Sequence, residues 1–129
     1  MALITRRPPV RVPHIEPGFY EPDFVAEYGS ETGKYPVEFQ WILSFLANEL
    51  DPTQSADVLE IGPGPGWMAI LLAKSHPAVH VTGIDLSQAF VELANENSRR
   101  EGVSERVRFT VGDAATMENF RDHSFDVVM

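Results

Sequence analysis

The amino-acid sequence predicts an α/β fold built on a parallel, doubly wound sheet. Strand-like apolar segments alternate with helical segments from residue 57 to residue 129, an alternation typical of right-handed βαβ units. A glycine-rich turn joins the first strand to the first helix, and three successive strands end in an acid. Because ligands of open α/β sheets bind outside the carboxyl ends of the strands, these acids predict one binding crevice at that edge.

Two segments precede this core. The first 22 residues contain five of the ten prolines and predict an extended arm. From Lys34 to Leu50 the pattern becomes helical, with Pro36 suited to the first turn and an apolar stripe formed by Val37, Trp41, Phe45 and Leu46. We therefore expect Trp41 and Phe45 to lie in the core.

The periodicity within the core predicts its strands and helices. Strands are predicted over 57–61, 79–84, 106–111 and 125–129, and helices over 67–76, 87–101 and 114–120. The second of these helices begins after the N-cap Ser87, turns Phe90, Leu93 and Ala94 inward, and ends at Gly102. The chain thus divides into a Pro-rich arm (1–33), an N-terminal helix (34–56) and a core (57–129).

The turn after the first strand has the sequence EIGPGPG and follows the strand-end acid Glu60. Glycines and prolines alternate in it: Gly62, Pro63, Gly64, Pro65 and Gly66. The glycines lack a Cβ, so they adopt dihedrals closed to other residues and let a nucleoside approach bare backbone. The prolines stiffen the turn but remove two N–H groups that a phosphate cradle would use. This turn predicts a nucleoside site, with a purely structural turn as the alternative.

The spacing of the glycines disfavours a dinucleotide. The dinucleotide fingerprint Gly-x-Gly-x-x-Gly, counted from Gly62, places its third glycine at position 67, which is Trp67. A large side chain there obstructs the close packing of helix on strand that the third glycine permits. An NAD-dependent oxidoreductase is therefore the weaker interpretation.

The second strand, VHVTGID, ends in Asp85, which follows Glu60 by 25 positions. This is close to the roughly 20 residues that separate a glycine loop from the ribose-binding carboxylate of a βαβ unit. An ionised carboxylate accepts two hydrogen bonds, and a ribose diol offers two donors. Because Ser87 is an expected N-cap, hydrogen bonding at the strand end and helix start is the alternative role for Asp85.

The third strand finishes in Gly112 and Asp113, followed by the small residue Ala114. With Glu60 and Asp85, this gives three successive strands that end in acids, all expected at one edge of the sheet. The alternative interpretation is an ordinary turn, in which the Asp113 side chain bonds to local N–H groups.

Several motifs in the right order now resemble one family. EIGPGPG, GIDLS, the helix AFVELANENSRREG, GDA and FDVVM, all between residues 57 and 129, are similar to motifs of the class I S-adenosylmethionine-dependent methyltransferases. The resemblance implies a Rossmann-like fold, S-adenosylmethionine as cofactor, and an enzyme that methylates an acceptor. The segment corresponds to the N-terminal part of such a domain, through strand four.

The resemblance also implies roles for individual residues. Glu60 would lie near the ammonium of the methionine moiety, and Gly62, Pro63, Gly64 and Gly66 would pass under that moiety. Asp85 would hold the ribose with Leu86 beside it, and Asp113 with Ala114 would contact the adenine. In many relatives an N-terminal helix covers the cofactor, so Tyr28, Lys34 and Tyr35 are further candidates for the site.

Composition and charge narrow the partners. The formal net charge of −9 disfavours a nucleic-acid substrate, because phosphate contacts need Lys and Arg and only ten are present. A small molecule or a protein remains as the acceptor. No apolar run approaches the roughly 20 residues of a membrane helix. The chain has no cysteine, which agrees with a cytoplasmic location, and its four histidines share no spacing typical of a metal site, so no metal is expected.

The sequence stops at Met129 within the apolar segment FDVVM. In the strand order 3-2-1-4 this fourth strand lies beside the first, where an uncovered apolar strand would be an aggregation site. We therefore predict that the segment is the N-terminal part of a longer protein, whose acceptor-binding and catalytic residues lie beyond Met129. The alternatives to a methyltransferase are a non-catalytic cofactor-binding or scaffold domain and an aminopropyl transferase that uses the decarboxylated cofactor.

Overall fold

Four parallel strands form the centre of the molecule. The computed structural model describes residues 21–31 and 37–129. Its strands are β1 (Ala56–Ile61), β2 (Val79–Asp85), β3 (Val107–Val111) and β4 (Val127–Val128), in the order β3-β2-β1-β4. Glu60 is paired with Gly83, and Asp85 with Val111, so the strands end together. The predicted parallel sheet and strand order are confirmed.

In the described ranges four helices accompany the sheet: α1 (Pro22–Glu31), α2 (Val37–Glu49), α3 (Trp67–Ser75) and α4 (Gln88–Arg100). The sequence signals for α4 are confirmed, since Ser87 Oγ accepts a hydrogen bond from the Phe90 N–H at 3.2 Å. At the other end, Gly102 has a φ of 73°, a left-handed conformation that stops the helix at little steric cost.

The core lies between the sheet and the helices. The least exposed apolar side chains of β1 and β2 include Val58, Leu59, Val79 and Val81. Helix α3 is apolar on nearly every side, and six of its nine residues are buried. The apolar residues that made these segments recognisable in the sequence are thus the ones that form the core.

Helix α1 was not predicted, because its sequence falls in the segment interpreted as an extended arm. Pro22 begins the helix and Asp23 lies in its first turn, both favourable positions for these residues. Val25 is buried, so packing against the core adds to this local preference. The remainder of the predicted arm, residues 1–20 and 32–33, lies outside the described residues, and the limits of the three segments stay a prediction.

The prediction that Trp41 and Phe45 lie in the core is wrong. Their side chains are 78% and 63% exposed, whereas Leu43 and Leu46 of the same helix are buried. Successive residues of an α-helix are about 100° apart, which puts the two aromatic rings on the side opposite the leucines. Helix α2 carries apolar residues on two faces, and only the leucine face packs on the core.

The predicted helix over 114–120 is absent, and this segment forms turns instead. The Asp113 carboxylate accepts the Ala115 N–H at 2.8 Å, and Met117 has a φ of 51°, which ends any helical turn there. The fourth strand is also shorter than predicted. Phe125 packs its ring against Phe120, with centroids 5.1 Å apart, instead of extending β4.

Candidate functional site

The glycine loop, residues 62–66, leaves β1 at the edge where the parallel strands end. Gly62, Gly64 and Gly66 all have positive φ, at 68°, 52° and 83°. The Gly62 N–H donates to the Ile84 carbonyl at 2.9 Å, and the Gly66 N–H donates to the Pro63 carbonyl at 2.9 Å. The Gly64 N–H donates to Asp85 Oδ2 at 3.2 Å. Within the described residues every N–H of the loop is therefore engaged, and none is directed at a phosphate.

The three glycines have different structural roles. A Cβ on Gly66 would lie 2.6 Å from Phe109 Cζ and 3.0 Å from Ala94 Cβ, so this glycine permits the close packing of loop, helix and strand. A Cβ on Gly62 would meet nothing within 4 Å, and one on Gly64 would meet only Phe90, at 3.9 Å. Gly66 thus fills the packing role that the dinucleotide fingerprint gives to position 67, and the other two glycines leave open backbone.

Asp85 joins the end of β2 to both the glycine loop and α4. Its Oδ1 accepts the Ser87 N–H at 2.9 Å, while Oδ2 accepts the Gly64 N–H. The hydrogen bonding at the helix start that the sequence allowed is therefore present. A carboxylate has about four acceptor positions, so two protein bonds leave room for a hydroxyl pair. Leu86 follows on the same edge and is half-buried.

Glu60 is the most unusual charged residue of the site. Its side chain is only 8% exposed, and burial raises its pKa from an ordinary 4.5 to about 7, helped by the nearby Asp85 charge. The Ala69 N–H, in the first turn of α3, opposes this rise by hydrogen bonding to the carboxyl group. Oε2 has no hydrogen-bond partner among the described residues. A buried acceptor in this state is costly and is typical of functional sites.

Asp113 borders a cavity of about 180 Å³ beside the end of β2. Ile84, Gly112, Met117 and Phe120 also line it. The bond from the Ala115 N–H to Asp113 Oδ1 is the local turn that the sequence left open as an alternative. Ala114 is exposed. Glu60, Asp85 and Asp113 therefore end neighbouring strands at one edge of the sheet, as predicted, and Asp85 is the link to the loop.

Sequence reasoning missed Asn97 of α4. This side chain is 3% exposed, and its Nδ2 donates to the Pro65 carbonyl in the glycine loop at 2.9 Å. A signal existed, since Phe90, Ala94 and Asn97 follow one another at helical spacing and a polar residue on such an inward stripe calls for a partner.

Helix α1 approaches the loop from the other side. A Cβ on Gly29 would lie 2.8 Å from Leu93 Cδ2 and 3.6 Å from Pro65 Cγ, so this helix packs closely on α4 and the loop. The Tyr28 ring meets the Phe90 ring edge to face, with centroids 5.6 Å apart. The other two candidates from the N-terminal region, Lys34 and Tyr35, lie outside the described residues.

In the described part of the chain no cluster of three or more His, Asp or Glu side chains is arranged to hold a metal ion. Over the same residues no helix combines the length and apolar character needed to cross a membrane.

Comparison with known proteins gives consistent matches. Residues 58–129 match the family model described as a methyltransferase domain. Release factor glutamine methyltransferase of Chlorobaculum tepidum is 41% identical over 68 residues, 53% of this chain and 23% of that protein. Norajmaline N-methyltransferase of Rauvolfia serpentina is 30% identical over 117 residues, 90% of this chain and 39% of that protein.

A solved structure of a methyltransferase shares the fold. The S-adenosylmethionine-dependent methyltransferase from Thiobacillus denitrificans, in complex with S-adenosylhomocysteine, has a TM-score of 0.56 and 35% identity. The match covers 74% of this chain and 37% of that one. The chain thus spans well under half the length of these relatives. The matched family model covers more than half of the chain, and the chain belongs to the class I S-adenosylmethionine-dependent methyltransferases.

Proposed function

We propose that this chain binds S-adenosylmethionine and serves a methyltransferase that moves the sulfonium methyl group to an acceptor. The observation that carries the proposal is the position of Asp85. This residue ends β2, the strand paired with the one that contains Glu60, and its carboxylate accepts a hydrogen bond from the Gly64 N–H. The carboxyl groups of Glu60 and Asp85 thus lie near the ends of neighbouring strands, beside the glycine loop. S-adenosylmethionine supplies an activated methyl group, so the protein's main task is to hold donor and acceptor in line.

The chemistry of the donor set fits this cofactor. S-adenosylmethionine carries an ammonium and a sulfonium, and the edge of the sheet offers three acids at the ends of neighbouring strands. We assign the ammonium to Glu60, whose buried Oε2 is otherwise without a partner in the described residues. The ribose hydroxyls go to the remaining acceptor positions of Asp85, with Leu86 alongside.

The remaining contacts follow the edge of the sheet. Gly62, Pro63, Gly64 and Gly66 would lie under the methionine moiety, and Gly62 and Gly64 leave backbone uncovered there. The cavity at Asp113 is the proposed adenine position, with Ala114 as a backbone contact. A pyrophosphate has no comparable fit, because the loop has two prolines and its glycine N–H groups are engaged within the described structure. This argues against an NAD-dependent oxidoreductase.

We propose a small molecule or a protein, and not a nucleic acid, as the acceptor. A formal charge of −9 opposes phosphate backbones. The names of the two relatives point to norajmaline in one case and a release-factor glutamine in the other, so both acceptor classes occur among similar proteins. The absence of cysteine from the sequence agrees with the cytoplasm as the proposed place of action.

Calorimetric titration tests the proposal. S-adenosylmethionine, S-adenosylhomocysteine and NAD are titrated separately into the purified protein. We expect the two sulfur nucleosides to bind and NAD to give no heat of binding. Binding of NAD alone would transfer the site to the oxidoreductase class, and a folded protein that binds none of the three would contradict the proposal. Decarboxylated S-adenosylmethionine, run in parallel, would bind more tightly if the reaction were aminopropyl transfer.

A further inference from the structure

The glycine loop depends on other parts of the chain for its shape. Its prolines supply no N–H, and the hydrogen bond from the Gly66 N–H to the Pro63 carbonyl is its one internal backbone bond in the described structure. Glycines have more backbone freedom than any other residue, so a loop with three of them is poorly defined by its own sequence. Further constraints come from neighbouring elements, among them hydrogen bonds to β2 and α4.

Helix α4 supplies a hydrogen bond to the middle of the loop. Asn97 lies 32 residues further along the chain than Pro65, and its amide donates to the Pro65 carbonyl from a buried position. Pro65 stands between Gly64 and Gly66, the two glycines with φ of 52° and 83°. This bond therefore fixes the orientation of the peptide unit in the middle of the loop.

The same helix also bonds to Phe109 of β3, which packs against the loop. Asn95 donates to the Phe109 carbonyl at 2.9 Å and accepts the Phe109 N–H at 3.0 Å. The Phe109 ring fills the space beside Gly66 and Gly83, where a Cβ would lie 2.6 Å and 2.3 Å from ring carbons. Asn97 thus bonds to the loop directly, and Asn95 bonds to the backbone of the residue whose ring packs against Gly66.

We propose that Asn97 is a positioning residue for cofactor binding, which holds the glycine loop in its binding shape through the Pro65 carbonyl. The inference rests on the proposed function, since it requires that the loop receives the cofactor. Without the Asn97 amide, the Pro65 carbonyl is left buried beside a cavity and the loop relaxes among other conformations. The free energy of binding is then reduced by the cost of reordering the loop.

A merely structural role is the competing explanation, and α4 contains a matched control for it. Ser98 is fully buried, and its Oγ donates to the Val107 carbonyl of β3 at 2.9 Å. This is also a buried bond from an α4 side chain to a backbone carbonyl, but it lies away from the glycine loop. Loss of either bond destabilises the fold, and only loss of the Asn97 bond changes the loop.

The experiment compares Asn97→Ala with Ser98→Ala in the purified protein. Urea unfolding gives the stability of each variant, and calorimetric titration at 15 °C gives the Kd for S-adenosylhomocysteine. We expect both urea midpoints to fall, the Kd of Asn97→Ala to rise about tenfold, and that of Ser98→Ala to change less than about twofold. Equal changes in Kd, or an unchanged Kd in a folded Asn97→Ala, would overturn the proposal.

A second variant keeps the test decisive if Asn97→Ala is too unstable to purify. Asn97→Ser leaves a smaller cavity, and its hydroxyl is too short to reach the Pro65 carbonyl, so the same rise in Kd is expected. Failure of the wild-type protein to bind S-adenosylhomocysteine would contradict the proposed function itself. Binding by the wild type with no difference between the Asn97 and Ser98 variants would contradict only the role of Asn97.

Discussion

The loop after β1 and the turn after β3 lie at the same edge of the sheet but are held in opposite ways. The glycine loop is bonded to residues far away in sequence, namely Ile84, Asp85 and Asn97. The turn after β3 is bonded to itself, with the Met117 N–H donating to the Asp113 carbonyl and the Phe120 N–H donating to the Met117 carbonyl.

This difference separates the two ends of the proposed site. Tertiary contacts fix the glycine loop before any ligand arrives, which lowers the entropy cost of binding there. The turn around Asp113 is held in the described structure mainly by short-range bonds, although the Gly112 N–H donates to the Asp85 carbonyl at 3.0 Å, and its side chains are largely exposed. We therefore expect substitutions near the loop to have large effects on folding and binding, and substitutions in the turn to have small ones.

The largest effect is expected from Gly66→Ala. An alanine at this position would have to adopt the left-handed backbone conformation of Gly66, which costs about 1–2 kcal/mol. Its Cβ would also overlap Phe109 and Ala94, which adds about 1–3 kcal/mol. Urea unfolding should show a total loss of about 2–5 kcal/mol. Gly102→Ala is the control, because its φ of 73° is similar but nothing lies within 4 Å of its Cβ. If both variants lost the same stability, the loop would have no packing constraint of its own.

Glu60→Gln should change how stability depends on pH. The pKa of Glu60 in the folded protein is about 7, above the ordinary 4.5. The contribution of this group to the free energy of unfolding is therefore fully present below pH 4.5, where it is protonated in both the folded and the unfolded state. That contribution is lost as the pH rises to 7, a difference of about 3 kcal/mol, and stays lost above it. Glutamine does not titrate. We expect urea unfolding to show Glu60→Gln as the more stable protein at pH 8, with the difference much smaller at pH 5.

The control for this experiment is Asp57→Asn, which removes an exposed acid from the other end of β1. It measures what loss of one negative charge does to a protein that already carries a net −9. Parallel stability curves for the wild type and Glu60→Gln between pH 5 and pH 8 would show that burial of Glu60 does not hold its proton.

Asp85→Ala should weaken binding of S-adenosylhomocysteine at least tenfold. Hydrogen bonds to charged groups are worth about 1.5–3 kcal/mol, and this variant would lose the proposed ribose contacts as well as the bonds from the Gly64 and Ser87 N–H groups. The 2′-deoxy analogue of the nucleoside separates these two causes. In the wild type it should bind more weakly than the parent compound, whereas Asp85→Ala should bind the two alike. A variant that still discriminated between them would place the ribose elsewhere.

The smallest effect is expected from Asp113→Ala, in the locally bonded turn. An exposed side-chain contact to the adenine amine is worth about 1 kcal/mol, so calorimetry should show a roughly fivefold rise in the Kd for S-adenosylhomocysteine. The analogue with hypoxanthine in place of adenine lacks that amine, so its Kd should be nearly the same for the wild type and for Asp113→Ala. A loss larger than that of Asp85→Ala would reverse the comparison between the two ends of the site.

Sequence patterns predicted the parts of the molecule that short-range signals determine. Ser87 and Gly102 mark the ends of α4, and the acids at the strand ends lie at one edge of the sheet because the strands are parallel. Periodicity was less informative for α2, where it identifies an apolar face but does not say which of two such faces meets the core. Trp41 and Phe45 were misplaced for this reason.

The remaining features depend on partners that are distant in sequence. The bond between Asn97 and Pro65 spans 32 residues, and the burial that raises the pKa of Glu60 comes from packing around the strand end and the start of α3. Conversely, the helix predicted after Asp113 does not form, because the Asp113 side chain accepts a hydrogen bond from the Ala115 N–H and favours a turn. The cofactor residues themselves remain predictions until ligand binding is measured.

The contrast between the two tryptophans of the chain gives the protein a built-in optical reporter. Trp67 follows the glycine loop directly and is 8% exposed, whereas Trp41 projects from α2 into solvent. An ionic quencher such as iodide reaches the indole of Trp41 and not that of Trp67. Fluorescence that persists in iodide therefore comes from the residue beside the loop, and its change on titration would follow occupancy of the site without any added label.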